Sequence, residues 1–562
     1  MKCKLKSPEM KHALLLIACI FYVCFSTAQT TAKPTVSTTS QTLDRPKLVV
    51  GIVVDQMRWD YIYRYYDLYK SDGGFKRFLN KGFTCENTFI PYAPTVTALG
   101  HTCVFTGSVP AIHGITGNDF YDRLQKREVY CTEDNSVQSV GSNSDAGKMS
   151  PRNMLATTIG DELRLATNFK SKVIGVSFKD RASILPAGHA ANGAFWFDHS
   201  TGNFITSTYY MGELPNWVQQ FNQRKIVDSL LKLKWELALP KEQYTRYSTA
   251  DVEAYEGRPF GDDQTSFPYD LSRFVGKDYG KIISTPYGNV VTEALAEAAV
   301  KGEKLGKSGT TDFLTVSFSS PDYIGHTFGP NSWEQMDDFV RLDEVLGNFF
   351  KFLDANVGKG DYLVFLSADH GAAHSPKFSV ANKLPGGWFG MGDFIRNVSS
   401  ALKQQFGRDS LITDINNYQV ILNNDVITAN KIDKEAVCNL IIDSLQQVSG
   451  ISRAFRLDEM MAVPMPAKQR EMFANGYYPT RSGDIQIVLK PGFLTGSGNG
   501  TSHGLWNPYD SHVPLLWYGW GIKQGKTNRE THMTDIAATV AAMLRIQMPS
   551  GCVGNVIEEV MK

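Results

Sequence analysis

Leu48-Val49-Val50-Gly51-Ile52-Val53-Val54 is an unbroken apolar run, rich in β-branched residues, and Asp55 ends it. A strand wetted on one face alternates apolar with polar. A run without alternation belongs to a strand covered on both faces, as in a parallel sheet between helices. Val173 to Phe178, Phe313 to Phe318 and Tyr362 to Leu366 repeat the pattern, with Ile485 to Leu489 and Val513 to Trp517 as weaker instances. Between these runs, Ser332 to Ala355 sets Phe339, Leu342, Leu346, Phe349, Phe350 and Leu353 at helical spacing, and Asn289 to Leu305 is rich in Ala, Glu and Lys. Strand alternating with helix predicts an α/β protein, a doubly wound α/β/α sandwich with a mostly parallel central sheet.

Two stretches depart from this rhythm. Residues 200–285, approximately, are rich in Tyr, Asp and Gln. Residues 385–480, approximately, carry a strand-helix-strand pattern at Tyr418 to Ile421, Lys434 to Val448 and Ile451 to Leu457. Both are expected as cap segments inserted near the mouth of the sheet, within one domain spanning residues 47–562.

The chain begins with a basic stretch (Lys2, Lys4, Lys6, Lys11), then the apolar run Ala13 to Phe25 and the small residues Ser26-Thr27-Ala28. This reads as a secretory signal over residues 1–28, too short to span a bilayer, followed by a Ser/Thr-rich linker at 29–46. A lipoprotein cleavage before Cys19 is disfavoured, because Ile20, Phe21 and Tyr22 would keep the apolar run going beyond it. The protein is therefore expected to be periplasmic or secreted, with no membrane span. The whole chain balances 57 basic against 57 acidic residues, which argues against a nucleic-acid partner. Cys85, Cys103, Cys131, Cys438 and Cys552 follow the signal; none sits in a CxxC pair, and their pairing is not readable from spacing.

The informative polar residues stand where apolar strands stop, the edge at which open α/β sheets bind ligands. Asp55 follows the first run. Asp322 follows the strand ending near Phe318, with His326 four residues on. Asp369 and His370 follow Tyr362 to Leu366, and His503 lies beyond Ile485 to Leu489 and a Gly-rich loop. Singly, each reads as a turn or capping residue. Together, three Asp and three His suit two zinc ions, each with three protein ligands and a position left for chemistry. Pro94-Thr95-Val96-Thr97 runs into an expected helix at Ala98 to Phe105. A hydroxyl there is either a helix cap or a metal-activated nucleophile beside an anion site.

These residues resemble the alkaline phosphatase superfamily in its threonine-nucleophile branch, and within it the bacterial phosphate-irrepressible alkaline phosphatases. The resemblance rests on the strand ending in Asp55, Pro94-Thr95-Val96-Thr97, His113-Gly114-Ile115-Thr116-Gly117-Asn118, Asp322-x-x-x-His326, Ala368-Asp369-His370-Gly371 and His503-Gly504. It covers residues 47–200, 285–380 and 480–520, approximately. It implies an alkaline phosphatase-like fold and a monomeric, zinc-dependent phosphomonoesterase with two Zn²⁺ per chain, acting on small phosphate monoesters through a covalent phosphothreonine. It implies Thr97 as the nucleophile, with Asp55, Asp369 and His370 holding the zinc that binds Thr97. Asp322, His326 and His503 would hold the zinc at the leaving-group oxygen, and Asn118 would bond a phosphate oxygen.

Lys179-Asp180-Arg181 follows the Val173 to Phe178 run, and strand alternation puts Lys179 and Arg181 on one face. Two fixed cations suit a dianionic monoester better than a monoanionic diester. The monoesterases resembled carry this pair, whereas the related nucleotide pyrophosphatase/phosphodiesterases lack it. Leu99 departs from the proline common in relatives. His374, four residues after His370, is set aside as a ligand, and His101 and His113 are read as supporting residues. A sulfatase is excluded because no Cys/Ser-x-Pro-x-Arg motif occurs at the nucleophile. The rival readings are a phosphodiesterase with the same metals and a non-catalytic phosphate or zinc binder.

Overall fold

The computed structural model describes residues 43–562, residue 497 excepted. The expected signal segment 1–28, Cys19 and most of the linker lie outside the described residues. Ten strands form the main sheet: β1 (Leu48–Val54), β2 (Phe83–Phe89), β3 (Ser139–Val140), β4 (Val173–Ser177), β5 (Gly193–Asp198), β6 (Asn203–Ser207), β7 (Asp312–Phe318), β8 (Tyr362–Ser367), β9 (His512–Gly519) and β10 (Gly525–His532). Their spatial order is β10-β2-β9-β8-β1-β7-β4-β5-β6-β3. The five central strands, β8 to β5, run parallel. Antiparallel partners flank them, β9 on one side and β6 on the other. The expected α/β architecture is observed, with β1 at its centre and every residue of it buried.

Two helix layers cover this sheet, each packing within itself. One contains α1 (Thr97–Thr106) and α2 (Asp180–Ala187). The other contains α3 (Tyr287–Glu303), α4 (Ser320–Phe328) and α5 (Trp333–Leu353). Gly51 sits mid-strand in β1 because α1 comes so close: a Cβ there would lie 2.6 Å from the rings of both Phe105 and Phe365. This close approach brings the first turn of α1 up to the carboxyl ends of β1 and β8.

Two expectations need correction. Ile485–Leu489 is not a strand of the main sheet. It pairs with Gln419–Leu422 and Ile451–Arg456 in a separate four-stranded sheet that also includes Ile412–Asn416. That sheet has its own core, including Leu402, Leu411, Val420, Ile441 and Ile487. An apolar run reports burial, not which sheet does the burying, and two cores in one chain make the same signal. Val513 to Trp517 does join the main sheet, but as antiparallel β9. At the other end of the fold, β6 still belongs to the main sheet, so region 200–285 begins within it. All five described cysteines are free thiols, and no helix among the described residues is long and apolar enough to cross a membrane.

Candidate active site

The parallel strands deliver their side chains to one edge. Asp55 follows β1, and its backbone N–H donates to Phe318 O at the end of β7 (3.0 Å). Asp369 and His370 follow β8. Asp322 stands in the first turn of α4 with His326 one turn later on the same face. His503 arrives from a loop after the inserted four-stranded sheet, where its Nδ1 is fixed 2.7 Å from Thr95 O.

Asp55, Asp369 and His370 converge tightly. His370 Nε2 is 3.6 Å from Asp55 Oδ1 and 3.5 Å from Asp369 Oδ2. These three atoms are buried and have no hydrogen-bond partner. Buried polar atoms are normally satisfied, so three unpartnered ones facing each other need a common partner. Ligands held at 2.0–2.2 Å around a tetrahedral ion lie about 3.4 Å apart, which is the spacing here. The residues present therefore fit a zinc ion.

The second set is looser. Asp322 Oδ1 is 3.1 Å from His326 Nε2 and 3.9 Å from His503 Nε2. A compact three-ligand grouping here is Asp322, His370 and His503, with the expected ligand His326 beside Asp322. His370 and His503 stack with ring centroids 3.5 Å apart, and His326 lies at the open rim beside them. The two ligand sets thus form one continuous cluster that meets at His370.

Electrostatics mark the cluster as built around cations. Burial, then the charges of Asp322 and Asp369, push the Asp55 carboxyl well above the usual range. Burial opposes ionisation of Asp322 too, but Lys179 and the nearby imidazoles hold its carboxyl well below that range. Burial, with His370 and His326 alongside, keeps His503 neutral, its pKa far below ordinary. Such opposed shifts among packed ligands are expected where a multivalent ion supplies the missing charge.

Thr97 is the first residue of α1, 2 % exposed, and its hydroxyl makes no hydrogen bond among the described residues. The capping reading fails for both threonines. Val96 is the N-cap and caps with no side chain, while Thr95 Oγ1 donates to Leu505 O at 2.8 Å. Two contacts place the first turn of α1 in the site. Asn118 Oδ1 accepts from Ala98 N (3.0 Å), which orients its amide group beside Thr97. His101 Nδ1 lies 2.9 Å from Thr97 O and 3.3 Å from Asp369 Oδ2, with Nε2 on Ser317 Oγ at 2.7 Å. His101 therefore supports a ligand, as expected, and His374 turns away to Asn331 Oδ1 at 2.6 Å.

Gly100, one turn into α1, is required by this proximity. A Cβ on it would lie 2.2 Å from Asp369 O. Gly100→Ala is expected to lower stability by about 2–4 kcal/mol and to reduce bound zinc, measured by thermal denaturation and metal analysis.

The alternation argument for Lys179 and Arg181 is overturned by the local structure. β4 ends at Ser177, Lys179 is the N-cap of α2, and Arg181 lies in its first turn. Lys179 nevertheless contacts both ligand sets. Lys179, 5 % exposed, donates to Asp55 Oδ2 (2.7 Å) and Asp322 Oδ2 (2.6 Å), linking the two ligand sets. Arg181 donates to Tyr130 Oη (3.0 Å), and Asp180 is tied to Tyr130 and Thr132.

One further residue escaped sequence reasoning. Gln56 is buried and adopts φ 62°, unusual for a non-glycine. Its side-chain amide donates to Asp322 Oδ1 (2.7 Å) and its backbone N–H to Asp369 Oδ1 (3.1 Å), so it orients a ligand of each set. A glutamine after a strand-end aspartate gives no signal of this in sequence.

Comparison with known proteins is consistent with this site. Residues 49–513 match the family described as type I phosphodiesterase / nucleotide pyrophosphatase. The chain is 52 % identical over 522 residues to alkaline phosphatase PafA of Elizabethkingia meningoseptica, covering 92 % of this chain and 95 % of that one. It is 49 % identical to alkaline phosphatase PhoV of Synechococcus elongatus, over 98 % of this chain and all of that one. The crystal structure of wild-type PafA superposes with a TM-score of 0.91 at 51 % identity, covering 93 % of this chain and 100 % of that one. A solved variant of PafA has a threonine, an asparagine, a lysine and an arginine replaced.

Proposed function

The chain belongs to the type I phosphodiesterase / nucleotide pyrophosphatase family, and from that premise we propose that it is a zinc-dependent alkaline phosphatase hydrolysing phosphate monoesters to alcohol and phosphate. The observation that carries this reading is the unbonded Thr97 hydroxyl at a helix N-terminus, beside buried, mutually facing ligand atoms and the buried cation of Lys179. The PafA variant supports the four catalytic assignments. Its threonine and asparagine stand 21 positions apart and its lysine and arginine two apart, the intervals between Thr97 and Asn118 and between Lys179 and Arg181.

Asp55, Asp369 and His370 would hold one zinc, and Asp322, His326 and His503 the other, with His370 at their junction. Bound there, the two ions would supply Lewis acidity for the entering and departing oxygens. The chain does the rest. Thr97 Oγ1 gives up its proton and attacks phosphorus as the ester P–O bond breaks and the oxygen departs as alcohol, taking up a proton; water then attacks phosphorus, breaks the Thr97–phosphate bond and releases phosphate and the restored hydroxyl. The Asn118 amide, held by Ala98 N–H, and the N-terminus of α1 bond phosphate oxygens. Lys179 bridges Asp55 and Asp322 and, with Arg181, balances the second negative charge that distinguishes a monoester from a diester. The resemblance to monomeric monoesterases supports a monomer, and the N-terminal sequence pattern supports export to the periplasm.

The family's name favours the phosphodiesterase alternative, and one assay separates the two. The rate on p-nitrophenyl phosphate is expected to exceed that on bis-p-nitrophenyl phosphate by orders of magnitude. Arg181→Ala is expected to cut the monoester rate by about 10²–10³ and the diester rate far less, at unchanged zinc content. Equal losses on both substrates would remove the monoesterase assignment.

A further inference from the structure

The inserted four-stranded sheet reaches the active site through a tight turn. Asn416 pairs with Gln419, so Asn417-Tyr418 is the two-residue loop that joins Ile412–Asn416 to Gln419–Leu422. Both loop residues have positive φ, 51° and 60°. Two positive angles in a two-residue hairpin loop are the pattern of a type I′ turn, whose second position is ordinarily glycine. A bulky tyrosine there is strained, and such strain persists only where the surroundings hold it. Tyr418 O accepts from Ile487 N (2.8 Å) and from Gln486 Nε2 (3.0 Å), which locks its backbone to the neighbouring strand.

The two side chains of this turn serve different parts of the site. Tyr418 Oη donates to His503 O (3.2 Å), and its ring covers Gly504, where a Cβ would lie 2.9 Å from it. His503 is thereby held at its carbonyl by Tyr418 and at its Nδ1 by Thr95 O, leaving Nε2 to face Asp322. Asn417 Nδ2 donates to Asp119 O (2.8 Å), and a Cβ on Gly117 would lie 2.1 Å from the same nitrogen. Asn416 Nδ2 also donates to Asp119 O (3.3 Å). Asn118 is therefore bracketed by the turn at the residues on either side of it, while its own side chain accepts from Ala98 N.

We propose that Asn417 and Tyr418 are positioning residues that tie the inserted sheet to catalysis: Tyr418 fixes His503 for zinc, and Asn417 fixes Asn118 for a phosphate oxygen. The proposal rests on the roles given to His503 and Asn118 above. A hairpin that only has to turn is satisfied by Asn-Gly without strain. Tyrosine strains the turn and supplies what glycine lacks, a bond to the backbone of a metal ligand. Orienting partners of this kind set how well a ligand holds its ion.

The test uses the full-length, zinc-loaded protein. Hydrolysis of p-nitrophenyl phosphate by the parent tests the phosphatase reading. Zinc retention against graded chelator, and calorimetry of inorganic phosphate binding, test the turn without turnover. Tyr418→Phe keeps the ring and removes the hydroxyl. It is expected to release one zinc per chain at about tenfold lower chelator concentration and to lower kcat, with excess zinc restoring kcat and phosphate affinity at saturating zinc unchanged. Tyr418→Gly relaxes the turn and is expected to release zinc at least as readily. Asn417→Gly tolerates the same backbone and removes the amide. It is expected to weaken phosphate binding and raise KM by about tenfold, with zinc retained as in the parent. Unchanged zinc retention in Tyr418→Phe, or unchanged phosphate affinity in Asn417→Gly, would overturn the proposal. So would variants that each shift both quantities together, because the turn would then serve only the general fold.

Discussion

Thr97→Ala is expected to lower the turnover of p-nitrophenyl phosphate by about 10⁴-fold or more, while zinc content and Tm stay near those of the parent protein. The asymmetry follows from the local structure. Thr97 Oγ1 makes no hydrogen bond among the described residues, and the helix is capped at Val96 without a side chain, so alanine removes no stabilising bond. Alanine is also the better helix former. Thr95→Ala is the informative control. It deletes the bond to Leu505 O, costing about 1 kcal/mol of stability, and is expected to leave most activity. A Thr97→Ala protein at full speed, or a Thr95→Ala protein that is dead yet folded, would relocate the nucleophile.

Removing metal is expected to reduce activity to background and to lower Tm by about 5–10 °C, with both restored by added zinc. Asp55 Oδ1, Asp369 Oδ2 and His370 Nε2 would again be buried without a partner, and burial beside two other carboxylates would favour the protonated form of Asp55. The sign of the pH dependence follows from the raised Asp55 pKa. In metal-free protein the Asp55 carboxyl stabilises the fold while protonated, and that contribution is lost as pH rises through its folded pKa. The stabilisation by zinc is therefore expected to be larger at pH 8 than at pH 6, and zinc binding to release protons. Calorimetric titration in buffers of different ionisation enthalpy measures the proton release. A metal-stripped protein that keeps its activity, or a zinc effect on Tm that shrinks as pH rises, would contradict this account.

Much of the catalytic edge was legible because burial on both faces leaves a plain trace. A parallel strand between helices has no wet side, so β1, β7 and β8 read as apolar runs, and Asp55, Asp322 and Asp369 stand where those runs stop. The i, i+4 spacing of Asp322 and His326 is likewise local geometry. The alternation argument for Lys179 and Arg181 failed because the chain turns from strand to helix between Ser177 and Asp180, and apolar pattern does not locate a turn within two residues.

The amino-acid order alone determined the parallel core, its ligand-bearing edge and the residue types gathered there, because those depend on burial and on intervals of a few residues. Tertiary structure alone decided that His503 reaches the site from outside the main sheet, that His370 joins both ligand sets, that Gln56 bridges Asp322 and Asp369, and that Lys179 ties Asp55 to Asp322. Most of these contacts join residues more than a hundred positions apart, and the Gln56 pair rests on a backbone at φ 62°. They follow from how helices and loops pack against the sheet, a long-range balance of close packing and hydrogen bonding that leaves no periodic mark along the chain.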